Sequence, residues 1–113
     1  EKHEEWIGFH IACFNGHTEV VKYLTTLDPN MVNVKINSGD TGFHAACERG
    51  RIDVVKHFTT IAPSVVYQKN NDGGTGFHGA CIKGRLNVVS HLVTVEPSVV
   101  YVKDKLGETG LSK

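Results

Sequence analysis

Thr41-Gly42-Phe43-His44-Ala45-Ala46-Cys47-Glu48-Arg49-Gly50 is the stretch that decides the fold. Its centre, Gly-Phe-His-x-Ala-Cys, stands also at residues 8–13 and 76–81, so three copies lie 34 residues apart. Thr109-Gly110-Leu111 opens a fourth copy at the same interval. Residues 41–74 and 75–108 agree at 19 of 34 positions, and residues 7–40 agree with 41–74 at 16. Identity at that level marks one supersecondary unit copied and stacked, with burial shared between neighbours.

Each copy reads as two short helices and a turn. Thr41 is placed to cap a helix, because its hydroxyl can accept from a first-turn N–H. Phe43, Ala46 and Cys47 then fall at i, i+3 and i+4, one narrow apolar stripe. Gly50 ends that helix, since glycine enters the left-handed region without a Cβ clash. A second helix is expected from about Arg51, with Ile52, Val55 and Phe58 on its apolar face and Val54 and Ile61 beside them. Pro63 stops it, as Pro29 and Pro97 do in the other copies. Ser64-Val65-Val66-Tyr67 is β-branched and aromatic and is expected to leave extended. Asn70-Asn71-Asp72-Gly73 is a turn signal, so a hairpin-like finger is expected before Thr75. Neither helix can bury its stripe alone, so each copy must pack on the next.

Composition narrows the function. The 113 residues suit one domain, and 12 basic residues balance 12 acidic ones. No run of one sign offers a footprint for nucleic acid or an anionic membrane. The apolar runs are only a few residues long, far short of a bilayer span. The three cysteines are one per copy, an odd number, and stacked copies about 10 Å apart are too far for disulfides between equivalent positions. The thiols are therefore expected to stay reduced, which points to a cytoplasmic or nuclear setting.

With the capped Thr-Gly-Phe-His-x-Ala-Cys start, the Gly16-His17 turn and the Val20-Val21, Val54-Val55 and Val88-Val89 pairs, the chain resembles the ankyrin-repeat family. The resemblance implies an all-α solenoid of helix-turn-helix units with finger loops. It divides the chain, as one domain, into repeats at about 7–40, 41–74 and 75–108 and a partial fourth at 109–113. Two departures stand out. The family's Pro after the capping Thr is Gly8, Gly42 or Gly76 here, which removes a pre-set φ and is expected to weaken each first helix. The period is 34, one longer than the common 33, with the extra residue near Pro29, Pro63 and Pro97. The chain reads as a piece of a longer array, monomeric or continued by further repeats.

The same resemblance implies a non-catalytic module that binds a protein partner on the concave surface formed by the fingers and first helices. Carried over by position, the candidate contacts are Trp6, Ile11, Phe14 and Asn15 in the first copy. In the second they are Asn37, Ser38, Asp40, Ala45, Glu48 and Arg49. In the third they are Asn71, Asp72, Gly74, Gly79, Ile82 and Lys83. Trp6, Ile11, Phe14 and Ile82 stand out, because the scaffold pattern asks for no apolar group there. An alternative is a structural or regulatory segment of a larger protein, binding its own remaining chain.

Chemical readings carry less weight. His10/Cys13, His44/Cys47 and His78/Cys81 each share a helix face and are zinc-ligand types, but each pair supplies two ligands where structural zinc takes four. A Cys–His nucleophile pair is normally single, whereas this one comes in triplicate. No cofactor is expected, and catalysis is not. His57 and His91 recur on the second helix and titrate near neutrality, either as surface or inter-repeat contacts or as a pH sensor. Lys35, Lys69 and Lys103 form a ladder, either a solvated row or an attraction for an acidic partner. Gly39, Gly73 and Gly107 supply the finger turns and lack the spacing of a phosphate loop.

Overall fold

The computed structural model describes residues 2–112, with side chains from residue 7 onward. Six α-helices alternate as antiparallel pairs: α1 (Lys2–Asn15), α2 (Thr18–Leu27), α3 (Gly42–Glu48), α4 (Ile52–Ile61), α5 (Gly76–Lys83) and α6 (Leu86–Val95). Short 3-10 helices cover Pro29–Asn33, Pro63–Tyr67, Pro97–Tyr101 and Gly110–Ser112. Helix α3 packs between α1 and α5, and α4 between α2 and α6. The stack measures 39 × 26 × 21 Å. No strand occurs among the described residues, so the fold is the expected all-helical solenoid.

The core is the expected stripe, joined across copies. Phe43, Ala46, Cys47, Val54, Val55 and Phe58 are all fully buried. The Phe58 ring on α4 meets Phe9 and Phe43 edge-on, at 6.1 and 5.8 Å between centroids. Edge-to-face contacts of this kind add roughly 0.5–1.5 kcal/mol beyond burial. One aromatic therefore ties a second helix to two first helices.

Each inner helix start is held by a reciprocal box. Thr41 Oγ1 accepts from the His44 N–H, while His44 Nδ1 accepts from the Thr41 N–H at 3.1 Å. Thr75 and His78 repeat this arrangement. The first copy has Ile7 where the others have Thr, and without a capping oxygen helix α1 runs straight through that position for 14 residues. Ile61, expected beside the core, points outward instead and is exposed.

The segment after the second helix differs from its β-like composition. Pro63 begins a 3-10 turn in which Val65 N–H donates to the Ala62 carbonyl. That turn buries both Val65 and Val66 to 1% exposure. An extended strand would send the two valines to opposite faces, so burial of both overrides the strand propensity. The extended part begins only at Gln68. The finger then closes by Asn70 N–H to Gly74 O and Gly73 N–H to Asn70 O, with Gly73 at φ +76°. Successive fingers are laced together: Asn71 N–H donates to Ser38 O and Lys105 N–H to Asp72 O.

The glycine in place of the family's Pro has a packing reason. A Cβ on Gly76 would lie 2.7 Å from both Cys47 Sγ and Phe43 Cε2. A Cβ on Gly42 would lie 2.7 Å from Cys13 Sγ and 3.0 Å from Phe9 Cε2. Gly110 meets Phe77 in the same way, at 2.5 Å. Each phenylalanine occupies the space that a side chain at the next helix start would need.

Candidate functional site

Helices α1, α3 and α5 and the fingers between them share one face of the stack, where most of the sequence candidates gather. Ile11, Phe14 and Ile82 are exposed at 50, 41 and 57%. Asn15, Asn37, Ser38, Arg49, Asn71, Asp72 and Lys83 are exposed too, while Asp40, Glu48 and Gly79 are half-buried. The side chain of Trp6 lies outside the described residues. The Arg49 guanidinium sits over the Phe14 ring, 4.8 Å from its centroid. Charge and aromatic thus form one unit across α1 and α3, an interaction worth about 0.5–1 kcal/mol where exposed.

Two candidates are not available for contact. Ala45 is buried, because α1 and α5 close on α3 from both sides. Gly74 is buried as well, and its carbonyl accepts from His44 Nε2 at 3.0 Å. Several finger candidates also hold the scaffold. Asp40 accepts from Ser38 Oγ and Asn70 Nδ2, and Asn71 Nδ2 donates to the Asn37 carbonyl.

On the same face a cleft of about 630 Å³ opens between α3, α5 and the finger at residues 104–106. Its walls carry Glu48, Asp72, Ile82 and Leu106, with Gly79 among its lining residues. The position filled by Ile11 in the first copy is Gly79 in the third, and the Glu48 side chain lies against it there.

A family model described as ankyrin repeats, in three copies, matches residues 9–104. The chain belongs to the ankyrin-repeat family. The crystal structure of the yeast ribosomal protein Rps3 in complex with its chaperone Yar1 contains a chain of the same fold, with a TM-score of 0.84 at 22% identity. The match covers 96% of this chain and 81% of that one. Among curated proteins, none matches the sequence.

In this ankyrin stack the histidines of the second and third His-x-x-Cys pairs are built into the scaffold. Both ring nitrogens of His44 are engaged, Nδ1 by Thr41 and Nε2 by the Gly74 carbonyl. His78 binds Thr75 and the Glu108 carbonyl in the same way. Burial pushes the Cys13 thiol up to about 12 and raises Cys47 and Cys81 as well. All three are free thiols, away from the thiolate form that metals and electrophiles require. Among the described residues no group of three or more His, Cys, Asp or Glu side chains is placed to hold a metal ion.

Sequence reading missed the contacts that lock one ankyrin unit to the next. Arg51 Nε donates to the Phe14 carbonyl at 3.0 Å, and Arg85 Nε to the Glu48 carbonyl at 2.8 Å. These arginines satisfy carbonyls at the end of the preceding first helix, groups that have no intrahelical partner. His57 Nε2 meets Thr25 Oγ1 at 2.9 Å and His91 Nε2 meets Thr59 Oγ1 at 2.9 Å, both between second helices. Lys35 Nζ donates to the Lys69 carbonyl and Lys69 Nζ to the Lys103 carbonyl, so the lysine row ties finger to finger. The spacing of these pairs, 32 to 37 residues, is the signal: a polar donor recurring one period away from a carbonyl.

Acid should weaken the stack. His10, His44, His57 and His91 are held below the ordinary histidine value of 6.5, in every case mainly by burial. The folded state prefers them neutral, so below that value the unfolded chain binds more protons. Their contribution is complete above pH 6.5 and is lost as pH falls toward the depressed folded values. Thermal melts should show a flat melting temperature from pH 8 to 7 and a steady fall from 6.5 to 5. A melting temperature that held or rose on acidification would contradict the buried neutral state.

Proposed function

We propose that this ankyrin segment is a non-catalytic module that binds a protein partner through the face formed by its fingers and first helices. The observation that carries the reading is the set of exposed apolar side chains on that face. Ile11, Phe14 and Ile82 project from scaffold positions that need no apolar group, beside Arg49, Asn71 and Lys83. Exposed apolar anchors rimmed by polar groups are the composition of an interface centre. The laced fingers and stacked helices hold that surface before any partner arrives, so little conformational freedom is lost on binding. Three free thiols, two buried in the core and Cys81 half-buried beside it, suit a reducing compartment, cytoplasmic or nuclear. No helix of the described residues is long and apolar enough to cross a membrane.

The test is comparative cross-linking in cells with the full-length protein. Phe14→Ala and Ile82→Asp should remove the cross-linked partner while leaving the melting temperature within a few degrees. Tyr101→Ala, at an exposed site on the 3-10 helix Pro97–Tyr101, should leave it in place. Retention of the same partner by all three variants would move the interface elsewhere. Cross-links running only to other parts of the same polypeptide would favour the intramolecular reading.

A further inference from the structure

We infer that the cleft at Gly79 receives a long basic side chain, an arginine carried on an extended segment of the partner. This rests on the proposed use of the finger and first-helix face and specifies the chemistry of one part of it. Four observations point the same way. The cleft, at about 630 Å³, lies within the range of roughly 300–1,000 Å³ that ligand clefts occupy. Gly79 carries no side chain, and Glu48 packs over it, with its Cγ, Cδ and Oε2 all within 4 Å of where a Cβ would stand, which sets the Glu48 carboxylate on the cleft wall. Ile82 and Leu106, exposed at 57 and 81%, offer apolar surface against which an aliphatic stem can lie.

The fourth observation is charge. Glu48 and Asp72 both line the cleft. Among the described residues neither carboxylate makes a hydrogen bond or an ion pair. Asp40, also on the lining, is already engaged by Ser38 and Asn70 and adds only its field. Lys83 and Lys105 border the same cleft without pairing to these acids. A half-buried Glu48 with no cation beside an apolar wall is complementary to a group that is apolar along its length and cationic at its end. Arginine fits better than lysine, because its planar fork can bond carboxylates two at a time and its ion is less strongly hydrated. The other half of the face is already provided with such a group: there Arg49 lies over Phe14. The chain thus satisfies its own first-half surface and leaves the second half for a partner.

The probes are two capped peptides, acetyl-Gly-Arg-Leu-Gly-amide and its citrulline counterpart, titrated into the isotope-labelled chain and followed by amide chemical shifts. The arginine peptide should give saturable shifts at residues 48, 72, 79 and 82. Loss of the charge-assisted bonds should make the citrulline peptide about tenfold weaker. Raising the salt from about 0.05 to 0.5 M should weaken the arginine peptide alone. Gly79→Ile, the residue of the first copy, should close the cleft. Because that side chain also presses on Glu48 Cγ, the double variant Glu48→Gln/Asp72→Asn provides the decisive comparison. It keeps shape and packing and should bind both peptides equally weakly. Saturable shifts of equal strength with citrulline, shifts confined to other residues, no shifts at all, or undiminished binding by the double variant would each overturn the arginine assignment. Partner cross-linking that still depends on Phe14 and Ile82 would then leave the broader interface reading standing.

Discussion

Gly76→Pro, the change that makes this chain look more like its own family, is expected to destabilise it by about 2–4 kcal/mol. Proline at the first helical position normally helps, because its φ is already set and the N–H it lacks has no helical partner. Glycine at a helix start also costs unfolded-state entropy, so even Gly76→Ala would gain up to about 1 kcal/mol if the site had room. It has none. The added Cβ would lie 2.7 Å from Phe43 Cε2 and 2.7 Å from Cys47 Sγ, both fully buried. Phe43 cannot retreat, since its ring is wedged edge-on against Phe58 at 5.8 Å. Overpacking of this kind costs roughly 1–3 kcal/mol or more, which exceeds the conformational gain. In a chain of this size that is a drop of about 10 °C or more in melting temperature.

A second substitution separates this account from a general intolerance of the position. Phe43→Leu shortens the ring that occupies the space. Alone it should cost roughly 1–2 kcal/mol through lost burial and the lost edge contact with Phe58. Combined with Gly76→Ala it should cost less than the two single changes added together, by about 1 kcal/mol or more in a double-mutant cycle. Strict additivity would show that the Phe–Gly pairing is not the reason for the glycine.

That pairing shows where sequence reading succeeded and where it stopped. The helix pairs, the Gly50 and Pro63 stops and the apolar stripe follow from local chemistry that 34-residue repetition makes legible. The glycine in place of Pro was equally visible as a departure, but its cause lies one unit away, in the ring of the preceding phenylalanine. The misread segment has a similar origin. Ser64-Val65-Val66-Tyr67 carries strand propensity, and only the need to bury Val65 and Val66 on the same side turns it into a 3-10 helix. At the candidate site, Ile11, Phe14 and Ile82 could be found as apolar residues at scaffold-neutral positions. Ala45 was misplaced because equivalence of position was taken for equivalence of exposure. It lies in an inner copy, whereas Ile11 lies at the end of the stack. Arg51 and Arg85 went unread because their targets are backbone carbonyls, which leave no trace in residue type.

The largest single loss is expected from His44→Ala. This side chain bonds two backbone groups at once. It completes the box with Thr41, and through Nε2 it donates to Gly74, tying the start of α3 to the end of the next finger. Deleting it leaves the Thr41 N–H and the Gly74 carbonyl buried without that partner, at about 1–3 kcal/mol each. Loss of half the cap adds about 1 kcal/mol. The sum, roughly 3–7 kcal/mol, is comparable with the whole stability of a small domain, so the variant should be largely unfolded at 37 °C. His44→Gln should recover part of the loss, since a glutamine at that helix position can still accept from the capping N–H but is badly placed for Gly74. His10→Ala supplies the internal comparison. It removes the same letter of the same motif, but Ile7 stands where the capping Thr would be, so there is no box to break. Its cost should stay near 1 kcal/mol, the common size for a single change outside a special feature. Circular-dichroism melts of the three variants decide the matter. Equal losses for His10→Ala and His44→Ala would mean that these histidines act through packing alone, and that the tether between helix start and finger adds nothing measurable to stability.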